Sequence, residues 1–326
     1  MDKDFLTYEQ QLQLLRAKGL TIVDEEETHA ALIRIGYFQL IGGYKTLFKN
    51  PTTRQYRDGV LFSDILALYH FDENLRHIFL RYLLNVEKAL KTQIAHVFCE
   101  SHGESQTQYL SAQNYNNTSV NSRGIAKMIG MLDKLANHPT DSPYINHHQL
   151  QHRNVPLWVL INATTFGTTS KLYFYLPQSL QSKICKRYLL NTRQMAQMLS
   201  VMTKFRNVCA HGERLYSFTT RDDIPDLPLH QKLNIQKKGQ QYLYGKRDLF
   251  ALMIALRYLL PSSEFGSLKK SCLTGNPDFQ QQMSVPGIRS TAAGNGIPRK
   301  LEAYHSLSPL RHYPFLADKC IYRNLD

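Results

Sequence analysis

Apolar residues along this chain recur at three- and four-residue intervals almost throughout, a spacing that predicts helices. From Tyr8 to Lys18, Leu12 and Leu15, with Leu14 beside them, mark one helical face, and Gly19 is a plausible stop. A second helix is predicted to start near Asp24. Its first turn holds Glu25, Glu26 and Glu27, where the positive end of the helix dipole favours acidic side chains. The next stretch, IRIGYFQLIGGYKTLF, sets aromatics between Gly36, Gly42 and Gly43 and reads as a helix ending in a glycine-broken loop. The strongest pattern follows Ser63 and Asp64, which offer an N-cap. Ile65, Leu68, Phe71, Leu75, Phe79, Tyr82, Val86, Leu90, Ile94 and Val97 then keep one face apolar up to Gly103. That is one very long helix, or two in line.

Beyond Gly103 the pattern is interrupted. SAQNYNNTSVNSRG has the composition of a linker or flexible insertion, and NHPTDSPYINHHQLQHRNVP is again loop-like. Between them a helix is predicted over about Ile125 to Ala136. LWVLINATTFGTTSKLYFYLP is apolar with a Phe-Gly turn in its middle, and Trp158 within it is expected in the core. Two further helices are predicted, roughly Gln178 to Leu190 and Thr192 to Gly212. A polar stretch bearing Pro225 and Pro228 follows, and then a helix from Arg247 to Leu260. From about Ser284 periodicity gives way to Gly, Pro and Ser, as expected of a weakly structured tail. The fold class is therefore mainly α. The expected division is an N-terminal helical region over 1–60, a helical core over 61–275 and a peripheral tail over 276–326.

Charge narrows the partners. Lys plus Arg number 39 against 26 Asp plus Glu, a formal net charge of +13. Such a balance favours a polyanion, either nucleic acid or an anionic membrane surface, although part of it can serve solubility alone. MDKDFLTYEQ lacks the apolar run of a signal peptide, and the most apolar run, Leu249 to Leu260, contains Arg257 and is too short to span a bilayer. No amphipathic anchor or lipidation signal is evident. Cys99, Cys185, Cys209, Cys272 and Cys320 form no C-x-x-C pair, which suggests neither a disulfide framework nor a cysteine metal site. A cytoplasmic protein without a cofactor is expected.

One stretch carries candidate chemistry: KFRNVCAHGERLY, Lys204 to Tyr216. On a helix ending near Gly212, Met198, Met202, Phe205 and Cys209 form an apolar stripe, while Lys204, Asn207, His211 and Arg214 share the polar face. Asn207 and His211 stand one turn apart. Arg206 points about 140° away from His211 at 3.6 residues per turn. Histidine can move protons near neutral pH, and arginine offers a permanent planar charge to a phosphate. Together they suit RNA cleavage without a metal, in which the ribose 2′-hydroxyl attacks its own phosphate. The same residues also read as a wet polar face. A similar Arg-to-His spacing, Arg299 to His305, falls in the unpatterned tail and is set aside.

RNVCAHGERLY resembles the signature of HEPN ribonucleases. With IRIGYFQLIGGYKTLF, LFSDILALYHFDENLRHIFLRYLLNVEKALKTQIAH and VPLWVLINATTFGTTSKLYFYL in order before it, the chain resembles the Abi-like (AbiD/AbiF-type) abortive infection family over about residues 8 to 275. The resemblance implies a HEPN-type helical bundle with additional N-terminal helices and long loops. It also implies a metal-independent endoribonuclease toxin of phage defence, leaving 2′,3′-cyclic phosphate ends at a composite homodimer site. Arg206 would stabilise the phosphate, Asn207 would be its polar partner and His211 the acid or base. A structured noncoding RNA antitoxin or regulator is implied as partner. Ser217 stands where the family often carries asparagine after its RLY element.

Outside the motif, Lys91 and His96 repeat the spacing of Arg206 and His211, though Glu87 and Lys91 also read as a simple i,i+4 pair. Lys183, Lys186 and Arg187 before the motif, and Lys237, Lys238, Lys246 and Arg247 after it, could flank an RNA cleft. His147, His148 and His152 lack the cysteine or carboxylate that usually completes a zinc site and suit a polar or RNA-contacting loop better. Tyr37, Phe38 and Tyr44 fit packing better than base stacking. The alternative to an enzyme is an RNA-binding scaffold using the same basic face.

Overall fold

The structure is a computed structural model describing residues 4–138 and 140–274, so the tail, its Arg299 and His305, and Cys320 lie outside the described residues. Helix α1 (Tyr8–Ala17) opens on a capping box, the Thr7 hydroxyl accepting from Gln10 N while the Gln10 side chain accepts from Thr7 N. Helix α2 (Glu25–Ile35) is capped by Asp24, which accepts from Glu27 N at 2.8 Å. Where a glycine-broken loop is expected, the chain winds on through a π turn, Phe38–Gly42, and a 3-10 turn, Lys45–Phe48.

Helix α3 (Phe62–His102) is one continuous rod of 41 residues, about 60 Å long at 1.5 Å per residue. The expected N-cap at Ser63 and Asp64 is corrected: the helix begins at Phe62, and Asp64 reaches back to accept from Leu61 N at 2.9 Å. Then come α4 (Gln106–Tyr109), α5 (Ser122–Asn137), α6 (Pro143–His152), α7 (Leu157–Leu160), α8 (Phe166–Tyr175), α9 (Gln178–Lys186) and α10 (Thr192–Ala210). After them come α11 (Pro228–Lys232), the minimal hairpin β1 (Lys237–Lys238) and β2 (Gln241–Tyr242), α12 (Leu249–Leu259) and α13 (Ser262–Thr274).

Helix α3 is the spine: α10, α8, α9, α7 and α13 all pack on it, and α8 and α12 pack on α10 as well. Helix α12, Leu249–Leu259, is buried on every side from Leu249 through Leu256, as befits a helix apolar all round. One hydrophobic cluster runs from Leu12 to Leu268.

Polar groups sealed in that core fix how the segments meet. Asp72 on α3 is fully buried. Its carboxylate accepts from Tyr44 Oη at 2.7 Å, Arg76 Nη1 at 2.9 Å, Leu215 N at 2.9 Å and Tyr216 N at 2.6 Å. Burial pushes the Asp72 carboxyl up, and these four donors oppose it. The Tyr44 ring also stacks on Tyr216 at 5.7 Å, joining the N-terminal turns to the segment after α10.

Several expectations are corrected. The segment read as a flexible insertion is packed: Tyr115 is buried, donates to Tyr109 O at 2.7 Å, and Asn116 N reaches Tyr175 O at 2.8 Å. The second loop-like stretch contains α6, which Pro143 begins and which buries Ile145. The Phe-Gly pair is no turn but the first residues of α8, capped by Thr165. Trp158 is 50% exposed rather than core. Helix α9 stops at Lys186 and α10 at Ala210, each short of its expected end. Of the aromatics weighed as packing, Tyr44 is buried and Phe38 is exposed.

Removing the Asp72 carboxylate leaves Arg76 and two backbone N–H groups without their acceptor. Asp72→Ala is expected to cost about 3–5 kcal/mol in chemical denaturation; a loss below about 1 kcal/mol would show that the network does not organise the core. A pH effect follows from His230, whose buried ring donates from Nε2 to Gly245 O at 2.8 Å and accepts from Leu227 N at 3.2 Å. Burial holds its pKa below the ordinary histidine value, so the fold keeps the ring neutral while the unfolded chain protonates it near pH 6.5. The resulting stability is present above that pH and is lost as pH falls. The urea midpoint is expected to drop between about pH 7.5 and about pH 5, with a smaller drop in His230→Gln.

Candidate active site

The motif sits where α10 ends. Asn191 caps the start of the helix, and Met198, Val201, Met202, Phe205, Val208 and Cys209 are buried along it. Burial pushes the Cys209 thiol up to about 12, so the motif's own cysteine is packing, not a nucleophile. At the C-terminus His211 is the cap residue. Gly212 takes φ +68°, and Glu213 N returns to Val208 O at 3.0 Å. This is a Schellman closure, which places a glycine after the histidine because a side chain there would be strained. Asn207 and His211 are exposed, and His211 N bonds Asn207 O at 2.9 Å.

Arg206 takes the other direction. It turns toward α3, where its Nε donates to Glu87 Oε2 at 3.3 Å, and its side chain is 25% exposed. Glu87 is 7% exposed and binds Lys91 Nζ through its other oxygen at 2.8 Å. Lys91, itself 9% exposed, donates onward to Thr164 O at 2.6 Å and Asn162 O at 3.4 Å. The i,i+4 reading of Glu87 and Lys91 is borne out, with the pair inside the protein rather than on its surface. Lys91 is thus committed to protein partners, whereas His96, five residues along α3, is exposed.

The other candidate cations are mostly engaged. Lys204 pairs with Asp222, which also accepts from Ser200 at 2.7 Å. Arg214 donates to Gly43 O at 2.6 Å and lies 5.9 Å from the centre of the Tyr216 ring. Lys183 binds Glu100 at 2.9 Å, while Lys186 and Arg187 are exposed where α9 ends. Lys246 and Arg247 pair with Asp226 and Asp223, and Lys237 lies over Tyr242. His147, His148 and His152 hold ring centres 5.2–5.8 Å apart. Among the described residues no group of three or more His, Cys, Asp and Glu could hold a metal ion.

Sequence reasoning missed the role of Glu87 toward Arg206. A signal was present: Glu87 follows Val86 and precedes Leu90 on the apolar face of α3, where a carboxylate needs a cation.

The structure therefore defines a mainly α protein whose candidate site lies where the end of α10 meets α3. The chain belongs to the Abi-like protein family, whose model matches residues 30–217, more than half its length. That family associates it with abortive infection, a form of phage defence. No curated protein and no solved structure matches it. No helix among the described residues is long and apolar enough to cross a membrane.

Glu87→Gln would leave Lys91 as an unmatched buried cation, at an expected cost of about 3–5 kcal/mol in urea unfolding. Adding Lys91→Met is expected to recover part of that loss, because a buried pair removed together leaves no unmatched charge. Strictly additive losses would contradict the coupling.

Proposed function

We propose that this protein is a metal-independent endoribonuclease of the HEPN superfamily, acting as a toxin in phage defence. The observation that carries the reading is that Arg206, tied to Glu87 of α3, shares the end of α10 with the exposed Asn207 and His211. Arg206 meets Glu87 through Nε, which leaves the terminal nitrogens of its fork for a phosphate. The ribose 2′-oxygen attacks phosphorus as its proton passes to a base, and the bond to the 5′-oxygen breaks as that oxygen gains a proton. Negative charge on the phosphoryl oxygens grows between these events, and a fixed guanidinium stabilises it.

Two proton transfers call for two groups, and the motif supplies one histidine, His211. A second copy of the chain supplies the other in this reading, giving a composite homodimer site. The net charge of +13 supports RNA as substrate and a structured noncoding RNA as regulator. The protein acts in the cytoplasm in this reading.

Purified protein incubated with single-stranded RNA in EDTA is expected to leave 2′,3′-cyclic phosphate ends. His211→Ala and Arg206→Ala are each expected to lower the rate at least about a hundredfold. Cleavage that persists in both variants removes the site assignment. Tight, salt-dependent RNA binding without cleavage would instead establish the scaffold alternative.

A further inference from the structure

A pocket of about 450 Å³ opens on α3 beyond the Glu87–Lys91 pair. Thr92, His96, Cys99 and Glu100, the last paired with Lys183, line it from one stripe of α3, and Trp158, Ile161 and Asn162 face them from α7 and the 3-10 turn after it. Trp158 is the chain's single tryptophan, and folding leaves its large ring half in water. A half-exposed indole presents a flat face on which another ring can stack.

The wall that carries the ring is fixed. Asn162 Nδ2 donates to Trp158 O at 2.7 Å, and Lys91 Nζ holds the carbonyls of Asn162 and Thr164. The same lysine pairs with Glu87, which holds Arg206, so pocket and motif share one buried anchor. Nine residues of α3 separate Glu87 from His96, roughly 14 Å along the axis, a span of a few nucleotides. Lys88, Thr92 and His96 are exposed along that length, giving a polar path with one cation between the two places.

The lining suits binding rather than reaction. Burial pushes the Cys99 thiol up to about 11, which keeps it protonated and unreactive. The Trp158 face offers a stacking platform, while the His96 ring nitrogens and the Asn162 side-chain oxygen offer hydrogen bonds at its edge. Apolar floor, aromatic wall and polar rim together match one planar heterocycle with hydrogen-bonding edges.

We propose that this pocket holds one unpaired base of single-stranded RNA, stacked on Trp158 and read at its edge by His96 and Asn162. The proposal rests on the ribonuclease reading for its substrate and adds a subsite that sets base preference at a fixed distance from the cut. Stacking supplies affinity for any base, and the edge contacts discriminate among bases.

Because Trp158 is the only tryptophan, its emission reports this pocket alone. His211→Ala protein is titrated with each nucleoside 5′-monophosphate and with a labelled single-stranded oligonucleotide whose anisotropy follows binding separately. Saturable quenching is expected with the oligonucleotide and with at least one mononucleotide. Trp158→Ala is expected to weaken oligonucleotide binding about tenfold, with Trp158→Phe recovering most of it. In the protein with His211 intact, Trp158→Ala is further expected to blur the base preference at a fixed offset from the cut. Oligonucleotide saturation with unchanged emission overturns the proposal, as does no response to any probe. Quenching without cleavage by the wild-type protein keeps the pocket and removes the ribonuclease reading, whereas cleavage without quenching does the reverse.

Discussion

A carboxylate taken out of water is unfavourable unless cations and N–H or O–H donors meet it, and α3 carries two such carboxylates inside the core. Asp72 gathers Tyr44, Arg76 and the backbone of Leu215 and Tyr216, so a turn near the N-terminus and the segment after α10 must converge on one helix. Glu87, about four turns further on, gathers Lys91 and Arg206. Apolar packing brings these elements together, but it is non-directional. The two carboxylates supply the direction, because few arrangements satisfy all of their partners at once.

The motif is clamped on both sides by this requirement. Arg206 is tied to α3 through Glu87, and Leu215 and Tyr216 are tied to α3 through Asp72. His211 and Gly212 lie between the two ties and are exposed. The turn that carries the histidine is therefore short and closed by the Glu213-to-Val208 bond, with little freedom to drift from Arg206. Lys91 extends the same anchoring to the backbone of Asn162 and Thr164, placing the start of α8 and the Trp158 wall by reference to the same carboxylate.

Helices with a wide apolar stripe were legible in the sequence: α3 and α10 follow from their spacing, as does the polar face bearing Asn207 and His211. The rotation of Arg206 away from His211 was legible too, since it depends only on helical geometry. What Arg206 turns toward was not, because its partner is 119 residues distant in sequence and periodicity says nothing about which helices meet. Helix α6 escaped because its polar, histidine-rich face buries little beyond Ile145. Trp158 was misplaced because hydrophobicity predicts burial only on average, and a ring at the rim of a pocket is the exception to that average. Short helices such as α7 offer too few turns for a period to register.

The two buried clusters differ in charge. Asp72 with Arg76 sums to zero, its remaining donors are neutral, and the cluster is sealed, with Arg76 only 4% exposed. Glu87 with Lys91 and Arg206 carries two cations for one anion, an excess of one positive charge, and Arg206 is partly open to solvent. An uncompensated cation in partly desolvated surroundings is an unfavourable arrangement that an anion would complete. The first cluster meets its electrostatic needs internally and holds the fold. The second keeps one positive charge in excess at the partly exposed Arg206, and the phosphate-stabilising role proposed for that residue rests on it.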